Sequence, residues 1–441
     1  MSKKVRDCLF WIFVVIFIFG TIIVSLYASG YKFNLSWPPK LNRLLIKTGM
    51  LIIKTQPDGA AIYLNNQIQT NQAIFSWQKN DLVTPVKIKN VLPGEYNLKL
   101  QRDGYLPWQK EIKIYSGQTT FAEDINLFRS DLPVMISQAK EGEISLNLNR
   151  KYLYTAGEKK VIDLKTEQAW LLPIKTAGTW LKNSNELLAD GQLFNPGDRN
   201  ITDYQKSVGV SAENWHDDET ANRLYYQNGN SLGYLDINQK TVVSLLNGEN
   251  YTTYEPRGDK LFVVASSGGK TKLKDYSLKE QKTKQELDLP TVGHYRFIFD
   301  NRQFLVLYDD LNKTLYLINP ENFSSGIKTI KNIISWEWVD DNTLLYNNNW
   351  EIYFFNIKQN NASLLTRVSE ELTKIIWNKE KNYLIFSTVK SLVVFDLANG
   401  LTTTIFKTEK ISSPVLDDKN NTLYFWAKIG QQEGIYKFLL Q

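Results

Sequence analysis

The chain has 441 residues and a net charge of +6, from 52 Lys and Arg against 46 Asp and Glu. Seven of the basic residues and one acidic residue lie within residues 1–48, so the remaining 393 residues carry 45 charges of each sign. A neutral region of this size lacks the basic face that nucleic-acid binding requires, which excludes a nucleic-acid partner. One cysteine, Cys8, and two histidines also exclude an intramolecular disulfide and a metal site built from Cys and His.

The first predicted element is a membrane-spanning helix. The stretch Cys8–Tyr31 contains no charged residue and is mainly apolar. A bilayer core about 30 Å thick requires roughly 20 such residues in a helix, and no other part of the sequence supplies them. We therefore predict a single-pass membrane protein with its helix at residues 8–31.

The flanks of this helix predict its orientation. Lys3, Lys4 and Arg6 directly precede it, which favours a cytoplasmic tail at residues 1–7 and an extracytoplasmic remainder of the chain. A cleaved signal peptide is the alternative, since Ala28-Ser29-Gly30 is small enough for a peptidase. The apolar region is longer than the usual 7–15-residue core of a signal peptide, so we favour a retained signal-anchor.

Residues 32–48 are predicted to be a linker and residues 49–128 a small β-sandwich. Turn-forming residues divide the second region into about seven short apolar strands. Its short motifs follow one another as Pro57, Asp58, Gly59 and Ala60, then Thr84 and Pro85, then Pro93, Gly94 and Tyr96, then Gly104 and Tyr105.

This order of motifs closely resembles the PEGA domain, with Asp58 in place of the Glu of the signature. The resemblance implies a structural role for these residues and a bacterial, extracytoplasmic domain that is joined to other modules and is not known for catalysis. The insertion at residues 67–82 departs from the family, and its segment Ile74–Trp77 predicts an extra strand or a lid.

Residues 131–441 contain repeats of about 40 residues. Eight copies share a buried-type anchor, at Leu153, Leu187, Leu224, Leu261, Phe304, Leu344, Leu384 and Leu423. A period of this length with about four strands is typical of β-propeller blades, which must stack in a ring because one blade cannot bury both faces. The predicted fold class is therefore all-β, with an N-terminal helix, a PEGA-like sandwich and a seven- or eight-bladed propeller.

Two details accompany the propeller prediction. The last copy lacks an outer strand, which Leu132–Ser137 could supply; seven blades remain the alternative, because the second copy is degenerate around residues 194–197. The strand before each hairpin carries an aromatic residue followed by a polar turn, which resembles the TolB-like and WD40-like propeller repeats. These aromatic residues, which we expect to pack between blades, are Trp180, Trp215, Tyr254, Phe299, Trp338 and Trp377.

The sequence predicts no catalytic, cofactor-binding or metal-binding residue. His216 and His294 lie at or near inner strands of two different blades, and a triad needs a nearby nucleophile and carboxylate. The acidic pairs at 217–218, 309–310, 340–341 and 417–418 lie next to strands, where Asp side chains commonly bond turn amides. We interpret these pairs as turn residues.

The tryptophans outside the repeat pattern are the candidates for an exposed binding surface: Trp77, Trp108, Trp336, Trp350 and Trp426. We expect a monomeric, surface-anchored protein that binds an envelope polysaccharide or a protein partner without a cofactor, since propellers carry variable loops on a rigid ring. The alternatives are a propeller hydrolase or lyase and an envelope sensor or assembly factor. The propeller fold alone does not decide among them.

Overall fold

The computed structural model describes residues 3–33, 45–71, 80–218, 222–298, 303–417, 419 and 421–441. A helix begins at Lys3 and ends at Ala28. Its segment Val5–Ala28 is long and apolar enough to cross a membrane, and a signal sequence would have the same properties. Strand Tyr31–Phe33 pairs antiparallel with Leu45–Lys47.

The first compact unit, residues 1–131 with Gln441, also contains a seven-stranded β-sandwich. One sheet has three strands in the order Val86–Val91, Gly49–Gln56 and Thr119–Asn126. The other has four strands in the order Gln67–Ile68, Ala61–Leu64, Gly94–Gln101 and Trp108–Ile114. Alternating buried residues such as Leu51, Ile62 and Leu98 form the core, as expected for sheets with one face inside.

The second compact unit, residues 132–440, contains eight four-stranded antiparallel sheets, which we call blades 1 to 8. Within blades 1 to 7 the strands are adjacent in chain order, and the first is the inner strand. Blade 1 comprises Ile144–Leu146, Tyr152–Thr155, Lys160–Asp163 and Ala169–Leu171, and blade 2 comprises Thr179–Trp180, Leu187–Ala189, Gln192–Asn195 and Asn200–Asp203. Blade 3 comprises Glu213–Asp217, Arg223–Asn228, Ser231–Asp236 and Thr241–Asn247, and blade 4 comprises Asn250–Arg257, Lys260–Ser267, Lys270–Ser277 and Lys282–Leu289. Blade 5 comprises Tyr295–Ile298, Leu305–Asp309, Thr314–Ile318 and Lys328–Ile330, and blade 6 comprises Ser335–Asp340, Thr343–Asn347, Glu351–Asn356 and Asn361–Arg367. Blade 7 comprises Leu372–Asn378, Tyr383–Thr388, Ser391–Asp396 and Leu401–Lys407.

Blade 8 is built from both ends of this unit. Its strands Lys410–Leu416, Thr422–Ile429 and Gln432–Leu439 are completed by Val134–Gln138, which pairs antiparallel with the last of them. The sequence stretch expected to supply the outer strand therefore does so. All eight expected copies form blades, and the second copy, although degenerate in sequence, is one of them.

Buried side chains join neighbouring blades around the ring. One cluster contains Leu153 of blade 1 and Trp426 of blade 8, and the same kind of apolar cluster joins blades 1 to 7 in succession. Between blades 7 and 8, the ring centroids of Phe406 and Phe425 are 5.9 Å apart. The ring is thus closed, and the all-β fold class predicted from the sequence is confirmed with eight blades.

The repeated anchors explain why these segments become strands. Seven of the eight anchor side chains are buried and Phe304 is partly buried. Short polar turns separate the strands, and the described part of the propeller has one short α-helix, Gln205–Val208, and one 3-10 turn, Phe323–Ser325. A stack of this kind leaves the inner strands around a central channel, where their polar side chains meet.

Candidate functional site

The first charged cavity lies at the inner strands of blades 1 to 5 and has a volume of about 640 Å³. We call it the His216 cavity. Lys182, His216, Asp217 and Glu255 line it, together with aromatic side chains that include Trp180. A concave site of 300–1,000 Å³ with an apolar wall and a few convergent polar groups is typical of small-ligand pockets.

A buried ion pair stabilises one side of the His216 cavity. The Lys182 Nζ atom lies 2.6 Å from Glu255 Oε1, and the two side chains are only 10% and 4% exposed. Arg257 Nε lies 3.9 Å from the same Glu255 oxygen. Burial raises the pKa of the Glu255 carboxyl, whereas the charges of Lys182 and Arg257 act in the opposite direction.

His216 is held neutral in this cavity. Burial, followed by the positive charge of Lys182, lowers its pKa to about 4. The ring packs edge-on against Tyr254, with ring centroids 4.8 Å apart. Because a neutral imidazole both donates and accepts a hydrogen bond, His216 can bind either type of ligand group at neutral pH.

Asp217 differs from the turn residue that the sequence predicts. Its Oδ2 atom accepts a hydrogen bond of 2.9 Å from the backbone amide of Lys182 in the preceding blade, and its side chain is buried. Burial raises the pKa of Asp217, while its contacts with Lys182 lower it. The turn interpretation is therefore wrong for Asp217, because the residue ends an inner strand that faces the channel.

In the other acidic pairs the first residue follows the turn interpretation, whereas Asp310 accepts hydrogen bonds from the Arg296 side chain. Asp309 Oδ1 accepts hydrogen bonds from the amides of Leu311 and Asn312, and Asp340 Oδ1 accepts one from Asn342. Asp417 Oδ1 bonds the amides of the following turn in the same way. Asp418 lies outside the described residues.

A second charged cavity, of about 550 Å³, lies at the inner strands of blades 1, 6, 7 and 8. We call it the Lys374 cavity. Its charged lining residues are Arg150, Glu337, Lys374 and Lys379, and two indole rings complete the wall. Burial lowers the pKa of Lys374, which the charges of Glu337 and Glu143 partly offset.

The aromatic residues of the repeat have two roles. Trp338 and Trp377 pack beside the apolar clusters of blades 5 to 7 and also line the Lys374 cavity. Trp180 donates from Nε1 to the Ser145 carbonyl of blade 1 at 3.3 Å and lines the His216 cavity. Trp215 and Tyr254 are buried, and Phe299 lies outside the described residues.

The predicted exposure is wrong for two of the five candidate tryptophans. Trp108 is 6% exposed on a strand of the sandwich, and Trp426 is 2% exposed between blades 8 and 1, where its Nε1 donates to the Ala139 carbonyl at 2.8 Å. Trp336 is partly buried against Tyr308, with centroids 5.0 Å apart. Trp350 is 48% exposed, and Trp77 lies outside the described residues.

The residues of the signature turn in the sandwich, Pro57 to Ala60, are held by Thr84. Its hydroxyl accepts from the Ala60 amide at 3.0 Å and lies 2.6 Å from the Thr55 hydroxyl. Gly59 has a φ of +92°, a value that favours glycine. The turn and Pro85 border a cavity of about 490 Å³.

The later signature residues lie in turns of the same unit. The Tyr96 hydroxyl donates to the Leu92 carbonyl at 2.8 Å, next to Pro93 and Gly94. The Tyr105 ring lies 5.0 Å from the Arg102 guanidinium and follows Gly104 in a turn. These contacts stabilise the turns of the sandwich.

Within the described residues, no group of three or more His, Cys, Asp or Glu side chains is arranged to hold a metal ion. The His216 cavity contains the Lys182–Glu255 ion pair, and the charged lining of the Lys374 cavity consists of three basic residues and Glu337. Sequence reasoning missed Lys182, Glu255 and Lys374, although each lies within three residues of an aromatic residue at the inner-strand position. A charged residue at this place in a blade is the signal that could have found them.

Comparison with known proteins identifies one domain. Residues 82–126 match the PEGA domain, which lies within the sandwich. No curated protein has significant sequence similarity to the chain.

Three solved structures illustrate the likeness in fold. The Dos1 propeller is 11% identical, with 69% of this chain and 93% of that chain covered at a TM-score of 0.48. An oligogalacturonate lyase from Vibrio parahaemolyticus is 11% identical, with 70% of this chain and 91% of that chain covered at a TM-score of 0.40. A mitotic checkpoint complex is 10% identical, with 71% of this chain and 93% of that chain covered at a TM-score of 0.38. The propeller assignment rests on the order and closure of the eight sheets rather than on these likenesses.

The chain therefore contains a PEGA domain and an eight-bladed β-propeller, which follow an N-terminal helix long and apolar enough to cross a membrane.

Proposed function

We propose that this chain is a membrane-anchored extracytoplasmic protein that binds a cell-envelope polymer or a protein partner through the channel of its propeller. The observation that carries the proposal is the His216 cavity of about 640 Å³. Its buried Lys182–Glu255 pair fixes polar groups around a space that also has an aromatic wall. Groups held in place before binding reduce the ordering cost of binding.

The anchored arrangement is supported by two features of the N-terminal region. The basic residues before the helix favour a cytoplasmic N-terminus, and the PEGA domain is of a kind found outside the cytoplasm. The test is protease treatment of intact cells that produce the full chain with a C-terminal tag, after any outer envelope layer has been opened. Loss of the tag is expected, and protection that ends only on lysis would contradict the orientation.

The binding role is tested with the full chain in nanodiscs and purified cell-wall material. The side chain of Thr179 is exposed and lines the His216 cavity, so Thr179→Trp should fill the cavity without changing its charges. Thr241→Trp, at an exposed position on the outer strand of blade 3, is the matched control. We expect the first variant to lose at least tenfold in retained polymer and the control to behave as the parent.

A Trp350→Ala variant separates the channel from the exposed aromatic surface. Trp350 is the one described tryptophan of the five candidates that is clearly exposed. Polymer retention that depends on Trp350 and is unaffected by Thr179→Trp would overturn the channel as the binding site. Retention unaffected by either variant would place binding elsewhere in the chain.

A hydrolase or lyase is the second candidate function, and a specific observation favours it. The pKa values of Asp217 and Glu255 are raised by burial, and His216 is neutral, so the cavity contains groups able to accept and donate protons. The test measures release of soluble saccharide from the same polymer. Release that His216→Asn abolishes while binding persists would favour the enzyme, and no release at all would leave the binding role.

A further inference from the structure

The Lys374 cavity is distinct from the His216 cavity in the sign of its charge. Arg150, Lys374 and Lys379 contribute three positive charges, and Glu337 contributes one negative charge. Arg150 is positioned at the cavity through a hydrogen bond of 3.2 Å from Nη1 to the Asp417 carbonyl. The lining is therefore net positive, although the chain outside the membrane flank is neutral.

Lys374 is the residue of this cavity whose charge is least compensated. No described residue accepts a hydrogen bond from its ammonium group or forms an ion pair with it within 4 Å. The residue lies on the inner strand Leu372–Asn378 and is partly buried. Withdrawing an ammonium group from water without a partner costs free energy, so such a residue is a candidate for binding an external anion.

The wall of the cavity adds two aromatic surfaces. Trp338 and Trp377 occupy corresponding positions on the inner strands of blades 6 and 7, since each pairs with the anchor leucine of its blade. Both line the cavity together with the apolar Leu146 and Leu416. The C–H groups on one face of a saccharide ring pack against indole rings, and a volume of about 550 Å³ suits a ligand of this size.

We propose that the Lys374 cavity binds an anionic saccharide-sized ligand, with a carboxylate or phosphate group beside Lys374 and a ring against Trp338 and Trp377. Arg150 and Lys379, which are both exposed, attract the anion at the cavity entrance. The inference rests on the proposed binding function and gives it a ligand class. It assigns the anion to a second cavity, separate from the one that contains His216.

The test uses three probes that share one sugar ring: glucuronate, glucose 6-phosphate and glucose. Each is titrated calorimetrically into the full chain in nanodiscs at low ionic strength. We expect one or both of the anions to bind with a dissociation constant in the millimolar range or below, and glucose to bind at least tenfold more weakly. A preference between glucuronate and glucose 6-phosphate identifies a carboxylate or a phosphate as the group that is bound.

The matched variants are Lys374→Met, Lys374→Arg and Lys358→Met. Lys358 is exposed in a turn of blade 6, outside the cavity. We expect Lys374→Met to weaken anion binding at least tenfold, Lys374→Arg to retain it within about threefold, and Lys358→Met to leave it unchanged. Thermal unfolding of each variant, followed by tryptophan fluorescence, verifies that the propeller remains folded.

Three outcomes would overturn the inference: no binding of either anion, equal binding of glucose, or equal losses in Lys374→Met and Lys358→Met. If wall polymer is still retained in such a case, the proposed function stands and only the ligand class fails. If the anions bind through Lys374 but no polymer is retained, the Lys374 site stands and the wider binding function fails.

Discussion

Two lysines face the channel of this propeller, and they differ in what compensates their charge. Lys182 of the blade 2 region lies 2.6 Å from a Glu255 oxygen, and both side chains are almost fully buried. Lys374 of blade 7 has no ion-pair partner among the described residues, and burial lowers its pKa. One cavity therefore contains a counter-charge in direct contact with its lysine, whereas in the other the charges of Glu337 and Glu143 only partly offset that of Lys374.

The difference indicates which part of the channel is structural and which is available to a ligand. A buried ion pair adds little net stability, but loss of one partner leaves a charge that the protein must bury alone. In a lysine without an ion-pair partner, the folded protein already bears the free-energy cost of burying the charge, and a bound anionic ligand would reduce this cost. The comparison predicts opposite responses of the two cavities to the same kinds of substitution.

The largest expected effect is that of Glu255→Ala. The substitution leaves Lys182 and the nearby Arg257 without their carboxylate in a buried site, so we expect the free energy of unfolding to fall by about 3–5 kcal/mol. Urea unfolding of the full chain in detergent, followed by tryptophan fluorescence, measures the change. The control is the double variant Lys182→Met/Glu255→Leu, which should recover most of the loss, since only Arg257 then lacks the carboxylate. A double variant as unstable as Glu255→Ala would show that packing, rather than the unpaired charge, sets the loss.

A smaller effect is expected from the pH dependence of stability at His216. Its pKa is about 4 in the folded chain and near 6.5 when unfolded, so the unfolded chain binds more protons between these values. The free energy of unfolding should therefore rise from pH 4 to pH 6.5, by about 3 kcal/mol from this residue. The raised pKa values of Asp217 and Glu255 act in the opposite direction, because their folded forms retain protons to higher pH.

The difference between the parent and His216→Asn isolates the histidine contribution. His294→Asn is the matched control, since the side chain of His294 is exposed at blade 5. The first variant should remove the contribution, and the second should retain the parent profile. Parallel profiles of the parent and His216→Asn across this pH range would contradict burial of a neutral His216.

The repeated features of the fold could be predicted from the sequence because they recur within one blade. The anchors from Leu153 to Leu423 recur at a nearly constant spacing, and all but Phe304, which directly precedes its strand, belong to a strand that pairs with its sequence neighbours. The outer strand at Val134–Gln138 could be predicted by counting, since the last repeat has one strand too few. Local pattern and strand order thus suffice for the ring.

Contacts between blades could not be predicted in the same way. Lys182 and Glu255 are 73 residues apart in sequence, and a single chain gives no sign that blades 2 and 4 bring them together. Trp426 has no counterpart in the repeat, yet it is buried because Ala139, from the other end of the propeller, covers it. Whether a residue outside the repeat pattern is exposed depends on which blades pack against each other, and this is a property of the tertiary structure.

The smallest expected effect comes from Lys374→Met, and it provides the sharpest comparison of the two cavities. Removing an ammonium group that has no partner should raise the free energy of unfolding by roughly 1 kcal/mol, whereas Lys182→Met should lower it by leaving Glu255 buried and less compensated. Because the pKa of Lys374 is lowered, the gain should be present at neutral pH and should disappear as the pH rises towards 10.5, where the parent lysine is also neutral. Urea unfolding of both variants at pH 7 and pH 10 measures this. Equal losses in the two variants would mean that Lys374 is held by the fold as firmly as Lys182, and the cavity around it would then have no charge left for a ligand.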